Sequence, residues 1–149
     1  MSAPHYQQEN AESRERLQAL TAKLTDAELE IRMPNGWTVA VTLAHLAFWD
    51  LSQVVRLKKW TDHGITPASL DADAVNDALR VLSEAIPPRE TLALVLGAAE
   101  TIDGLLEKLT PDQADQLMEM GLERNLRRSL HRTIHLDKID EVLKKKSDR

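Results

Sequence analysis

Three histidines are the residues of this sequence whose type and spacing suit metal chemistry. His131 and His135 are four residues apart in the segment LHRTIHLDKI, so a helix there places both imidazoles on one face. His45 is the single histidine of the apolar segment GWTVAVTLAHLAFWD. Neutral imidazoles bind divalent metal ions, and three of them leave coordination positions open, as in catalytic sites. The alternative is a buried polar cluster whose ring nitrogens are satisfied by hydrogen bonds.

The surroundings of the histidine pair favour a location inside the protein. On a helical wheel, the face of His131 and His135 also carries apolar residues, which are Leu130, Ile134, Ile139 and Val142. Two imidazoles side by side in an apolar stripe are harder to satisfy than one, because each ring has two nitrogens. A metal ion would satisfy one nitrogen of each ring.

Two aromatic side chains follow His45 within about one helical turn. Trp49 and Phe48 are predicted to line a pocket beside the histidine, and packing in the core is the alternative for both. The other two histidines, His5 and His63, are predicted to be exposed and without a role.

The charged residues near the histidines are predicted to have structural or surface positions. Asp50 is a charge within an apolar helix, and the helical wheel places it away from His45. We therefore expect Asp50 to pair with an arginine, and a role in proton transfer is the alternative. Arg128 and Arg132 are predicted to be solvated surface charges, and attraction of an anionic thiol is the alternative.

Helices are the elements that must position these residues. Apolar periodicity and capping residues predict four long helices, over residues 5–24, 38–62, 88–109 and 124–145. Shorter helices are predicted after Thr25, over residues 71–85 and over residues 111–118. The second long helix is apolar on two sides, and the side with Val41 and His45 is expected to face a neighbouring subunit. The sequence thus predicts an all-α four-helix bundle with short extra helices in the connections, as a single domain over residues 1–149.

The net charge, the absence of Cys and the lack of long apolar runs indicate which kinds of binding partner to expect. The formal net charge of −5 argues against non-specific binding to nucleic acid, which depends on neutralising phosphates. The sequence contains no Cys, so any thiol chemistry needs a thiol from outside the chain. The polar N-terminal segment is not expected to be a signal peptide, and no apolar run approaches the length of a membrane span. We therefore expect a cytoplasmic protein that binds neither nucleic acid nor membrane.

The segments GWTVAVTLAHLAFWD and HRTIHLDKI together resemble the DinB/YfiT-like superfamily of bacterial four-helix bundles. That family's pattern is a Trp, an apolar helix with a single His, and a late His-x-x-x-His. The resemblance implies a DinB-like bundle, often a homodimer, with His45, His131 and His135 as ligands of a zinc or nickel ion. It also implies two kinds of activity, since some members use a small thiol such as mycothiol or bacillithiol and others are described as metal-dependent hydrolases.

Two functional hypotheses follow. In the first, the protein is an enzyme whose three-histidine metal site activates a thiol, as an S-transferase, or water, as a hydrolase, toward a small-molecule substrate. In the second, the bundle binds or sequesters a small molecule without catalysis, and the metal is an anchor or is absent.

Overall fold

The fold is built from α-helices in the order that the sequence predicts. The computed structural model describes residues 5–67 and 69–147, and no strand occurs among them. Its four long helices are α1 (His5–Lys23), α3 (Val39–His63), α5 (Pro88–Glu107) and α8 (Arg128–Ser147). The shorter helices in the connections are α2 (Asp26–Leu29), α4 (Ala72–Glu84), α6 (Pro111–Glu119) and α7 (Glu123–Leu126). The all-α prediction is confirmed, and the last predicted helix divides into α7 and α8.

Side-chain caps determine where several helices begin. Thr25 and Thr110 each form a capping box, in which the threonine and the third helical residue satisfy each other's backbone N–H groups. The side chain of Thr38 accepts a hydrogen bond from the backbone N–H of Val41 and opens α3. At its other end α3 stops at Gly64, whose φ of 85° is one that side chains disfavour. These local signals fix the start of the helix that carries His45.

The four long helices form a bundle in which α1 and α3 each pack against both α5 and α8. The contacts show that α3 and α8 run antiparallel. His45 meets His131 near the start of both helices, and further along α3 Gln53 meets Asn125, which precedes α8. Residues near the start of α3 therefore face the first turns of α8, and this packing brings His45 to His131.

The apolar core lies between these helices in two clusters. One lies around Leu17, Leu43, Ala99 and Leu136, and the other lies around Leu57, Ile102, Leu117 and Leu126. Aliphatic side chains supply most of both clusters, as expected for a chain with 3% aromatic residues. Their burial is the main stabilising contribution to the bundle.

The second apolar side of α3 is covered by this chain, which corrects the sequence interpretation. Val41 is 4% exposed and His45 is 5% exposed, so no neighbouring subunit is needed to bury them. The exposed large apolar residues of α3 are instead Leu51 and Val55, further along the helix. Among the described residues, no helix is long and apolar enough to cross a membrane.

Candidate metal centre

The antiparallel packing of α3 and α8 brings His45, His131 and His135 together. The Nε2 atoms of His45 and His131 are 3.0 Å apart. One ring nitrogen from each of the three side chains lies within 4.8 Å of the others. The centroids of the three rings are 4.7 to 4.9 Å apart, so the rings form a compact triangle. The structure therefore assembles the three residues whose spacing suggested a shared site.

The donor set of this cluster suits a divalent ion of the zinc or nickel type, which imidazole nitrogens bind well. A Zn–N bond of about 2.0–2.1 Å places two tetrahedral ligand nitrogens about 3.4 Å apart. The observed separations, from 3.0 Å to at most 4.8 Å, lie around that value. Small side-chain rotations would therefore bring the three nitrogens to one ion without moving the helices.

Burial keeps the three imidazoles neutral. Desolvation lowers the pKa of His45 to about 4, of His131 to about 2 and of His135 to about 4, from an ordinary value of 6.5. Positive charge nearby acts in the same direction, from His135 on the other two rings and from Lys138 on His135. All three rings are therefore in the unprotonated form that binds metal ions at neutral pH.

One nitrogen of the cluster is buried without a partner. Nδ1 of His45 makes no hydrogen bond to any described residue. The Nε2 atoms of His45 and His131 are close enough to hydrogen-bond to each other, which requires a proton on one of them. Hydrogen bonds among the three rings thus satisfy only some of their nitrogens, so the cluster can still bind a ligand.

The cluster forms part of the wall of a cavity of about 1030 Å³. Trp37 and Trp49 line the cavity near His45, with ring centroids 5.1 and 6.5 Å from its imidazole. Phe48 differs from the sequence expectation, because it packs edge-to-face on Trp49 at 5.1 Å and is not among the residues that line the cavity. Such a volume lies at the upper end of the usual range for small-molecule sites.

The apolar stripe beside the histidine pair divides between the core and the cavity. Ile139 is fully buried in the core, whereas Ile134 is 52% exposed and lines the cavity with Leu130. His131 and His135 are half-buried at the boundary between these two environments. The apolar stripe predicted for this helix therefore contacts the core on one side and the cavity on the other, and the imidazoles are accessible from the cavity.

The helix α4 contributes the polar side chain of Asn76 to the cavity wall. The indole Nε1 of Trp49 donates to Oδ1 of Asn76 at 2.9 Å, and this hydrogen bond links α4 to α3. Trp37 is the tryptophan of the segment GWTVAVTLAHLAFWD, eight residues before His45, but the sequence did not assign it to the pocket wall. Asn76 was not identified, because no motif marks it and only the packing of α4 on α3 brings it to the site.

A buried network of ion pairs holds α8 in place beneath the histidines. The guanidinium of Arg132 donates two parallel hydrogen bonds to Asp103 of α5, at 2.8 and 2.9 Å, and a third to Asp50 of α3. Arg128 donates to the other carboxylate oxygen of Asp50 at 2.8 Å. Arg14 of α1 also donates to Asp103, so the network joins all four long helices.

This network confirms the structural role expected for Asp50 and overturns the surface position predicted for Arg128 and Arg132. Arg132 is 1% exposed and Arg128 is 5% exposed, so neither is a solvated charge. A signal for this was present in the sequence. Arg132 has the i, i+4, i+7 spacing with Leu136 and Ile139 that marks the core-facing stripe of a helix.

Comparison with known proteins agrees with this architecture. A family model of the DinB superfamily matches residues 9–136. The chain belongs to the DinB superfamily. The match to the DinB superfamily includes all three histidines and ends within α8, one residue after His135. Searches of curated proteins and of solved structures gave no match.

Membership of the DinB superfamily agrees with the resemblance seen in the two histidine segments. The three-histidine cluster also fits a family whose members bind metal ions. The family match and the cluster rest on different observations, since one compares sequence over most of the chain and the other measures distances between ring nitrogens.

Proposed function

We propose that this protein is a metal-dependent enzyme in which His45, His131 and His135 hold a divalent ion that activates a small nucleophile. The observation that carries the proposal is the convergence of three neutral imidazoles on the wall of a large cavity. A site that served only to stabilise the fold would be expected to be closed by a fourth protein ligand. Among the described residues, the cluster contains only the three histidines.

The residues of the chain would contribute to the chemistry in distinct ways. A 2+ ion held by neutral ligands keeps its charge and would lower the pKa of a bound water or thiol. Trp37 and Trp49 would exclude bulk water from one side of His45, which strengthens electrostatic interactions there. The ion pair of Asp50 with Arg128 would hold α8 in register with α3, so that the three imidazoles stay aligned.

The nucleophile is proposed to be a thiol or water. The chain has no Cys, so a thiol would be an external one such as mycothiol or bacillithiol, and the activity would be S-transfer. With water the activity would be hydrolysis. Zinc and nickel are the ions that we propose, because imidazole nitrogens suit both.

On the family resemblance, the protein is also proposed to be a homodimer and to be cytoplasmic. Sedimentation tests the oligomeric state, and fractionation of the source cells tests the location.

A non-catalytic binding protein is the second candidate, and one distance favours it. The 3.0 Å separation of Nε2 in His45 and His131 allows a direct hydrogen bond, so these two rings partly satisfy each other without an ion. In that case the cavity would bind a small molecule without turnover.

Elemental analysis of protein purified without a histidine tag tests the metal centre. We expect about one zinc or nickel ion per chain, and its loss in His131→Ala. His63→Ala is the matched control, because His63 is exposed at the end of α3 and outside the cluster. If the parent protein takes up no ion even after incubation with divalent metals, the enzyme proposal is wrong and the binding protein becomes the better assignment.

Turnover assays then separate the two nucleophiles. A metal-loaded protein that consumes an electrophile only when a thiol is supplied would be an S-transferase, and one that hydrolyses an ester or amide without a thiol would be a hydrolase. Stoichiometric metal with tight ligand binding and no turnover in either assay would favour the non-catalytic candidate.

A further inference from the structure

Arginines outnumber acidic residues on the wall of the cavity beside the histidine cluster. The chain has a formal net charge of −5, yet among the described residues four arginines and two glutamates line the cavity, and no aspartate or lysine does. The arginines are Arg16, Arg124, Arg127 and Arg128. A cation on a cavity wall favours an anionic ligand when no carboxylate of the protein balances its charge.

Three of the four arginines are already paired. Arg16 makes salt bridges to two aspartates of α8, Arg127 pairs with Glu9 and with a glutamate of α7, and Arg128 pairs with Asp50. Their charges are balanced within the protein, so they are poor anchors for a ligand.

Arg124 differs from the other three arginines because no carboxylate of the described residues pairs with it. Among residues 5–67 and 69–147, no partner forms a salt bridge or side-chain hydrogen bond with Arg124, whose backbone carbonyl accepts from Arg128. The side chain is exposed and lines the cavity.

A hydrogen-bonded pair of side-chain amides, Gln53 and Asn125, lines the same cavity as Arg124. Nε2 of Gln53 donates to Oδ1 of Asn125 at 2.8 Å, and both side chains line the cavity. This bond orients the Asn125 amide so that its NH₂ group, which has no protein acceptor among the described residues, is available to a ligand. A guanidinium and a neutral N–H donor on the same cavity wall suit the oxygens of a carboxylate.

We propose that Arg124, assisted by Asn125, binds a carboxylate of the substrate or of the thiol cosubstrate, whose reacting end lies at the histidine cluster. This inference rests on the proposed metal centre and adds the substrate class, a small organic acid. A carboxylate suits the wall better than a phosphate dianion, because among the described residues of the wall one guanidinium, that of Arg124, lacks a counter-charge, and Glu12 lines the same cavity.

Binding of simple thiols to the cobalt(II)-loaded protein tests this inference. A thiolate bound to cobalt gives a charge-transfer absorption band, so each titration reports a sulfur–metal bond directly. The probes are thioglycolate and mercaptopropionate, each compared with the uncharged alcohol of the same chain length, mercaptoethanol and mercaptopropanol. The proteins are the parent, Arg124→Gln, Asn125→Ala and Arg89→Gln. Arg89→Gln is the matched control, since Arg89 is exposed, pairs with Asp26 and does not line the cavity.

We expect the parent to bind at least one of the acids about tenfold more tightly than its matched alcohol, the size of one charge-assisted hydrogen-bonded pair. Arg124→Gln should lose this preference with unchanged affinity for the alcohols, Asn125→Ala should lose part of it, and Arg89→Gln should keep it. Equal affinities for acid and alcohol in the parent, or a preference that survives Arg124→Gln, would overturn the inference and leave the metal centre intact. Failure of the parent to bind cobalt, or to show a thiolate band with any probe, would overturn the proposed metal centre and this inference with it.

Discussion

Burial determines the protonation state of the three imidazoles in the cluster. Each would titrate near neutral pH in water, but desolvation disfavours the charged form and lowers the pKa of all three. The consequence for function is that no proton must leave before a metal ion binds at neutral pH. The consequence for stability is a cost that appears only in acid, when the unfolded chain takes up protons and the folded chain does not.

The free energy of unfolding of the metal-free protein is therefore expected to fall as the pH falls. The folded pKa of His45 and His135 is about 4 and that of the unfolded residues is 6.5, so the loss begins below pH 6.5 and continues toward pH 4. For His131 it continues toward about pH 2. Urea unfolding at a series of pH values measures this. His131→Gln should flatten the dependence and His63→Gln should not, and equal slopes in the parent and His131→Gln would contradict the prediction.

At the scale of the element, α8 is the helix on which the site depends. It carries two of the three histidines on its cavity side and Arg132 on its core side. A buried ion pair is not in itself a stabilising device, because desolvation offsets much of the attraction. Its removal from one side is costly, however, since it leaves a carboxylate buried with fewer partners. The network therefore specifies one position of α8 against α3 and α5.

Replacing Arg132 with Met is expected to lower the free energy of unfolding by about 3–5 kcal/mol, because Asp103 and Asp50 stay buried with fewer donors. Urea unfolding at neutral pH measures the change. Asp137→Asn is the control on the same helix, as Asp137 is 64% exposed and its salt bridge to Arg16 should contribute less than about 1 kcal/mol. A loss of that small size in Arg132→Met would mean that the network does not hold α8.

The start of α3 depends on one hydroxyl. Thr38→Ala removes the side-chain acceptor for the backbone N–H of Val41 and is expected to cost about 1 kcal/mol. Thr38→Ser keeps the acceptor and should stay within a few tenths of a kcal/mol of the parent. Thermal or urea unfolding of both variants decides whether the cap contributes, and equal stability of Thr38→Ala and the parent would show that it does not.

At the scale of the whole molecule, the cluster joins distant parts of the chain. His45 and His131 are 86 residues apart in sequence, and their helices approach each other only in the folded bundle. A metal ion held by both helices would therefore bind the folded state far better than the unfolded one. Such binding is linked to folding, so it should raise the stability of the entire bundle.

Zinc or nickel at 100 times its dissociation constant is expected to stabilise the protein by about 2.7 kcal/mol. Thermal unfolding with and without the ion measures this as a rise in Tm. His135→Ala should lose most of the shift, whereas His5→Ala, at the exposed start of α1, should retain it. A shift of equal size in the parent and His135→Ala would place the ion somewhere other than the cluster.

The sequence by itself determined the helices and the identity of the clustered histidines. Apolar periodicity and threonine caps are local properties, so the starts of α2, α3 and α6 follow from a few neighbouring residues. His131 and His135 share a helix face for the same reason. The division of the last helix into α7 and α8 did not follow from these local signals.

Only the tertiary structure decided how the helices meet. The sequence left open whether α3 and α8 are parallel or antiparallel, since either packing could bring His45 to the pair on α8, and the structure shows that they are antiparallel. It also misplaced Arg128 and Arg132, because charged residues are usually solvated and their carboxylate partners lie on other helices. Likewise, Asn76 and Arg124 reach the cavity through packing between elements. Contacts between residues distant in sequence depend on how all the helices pack at once, and no local pattern encodes them.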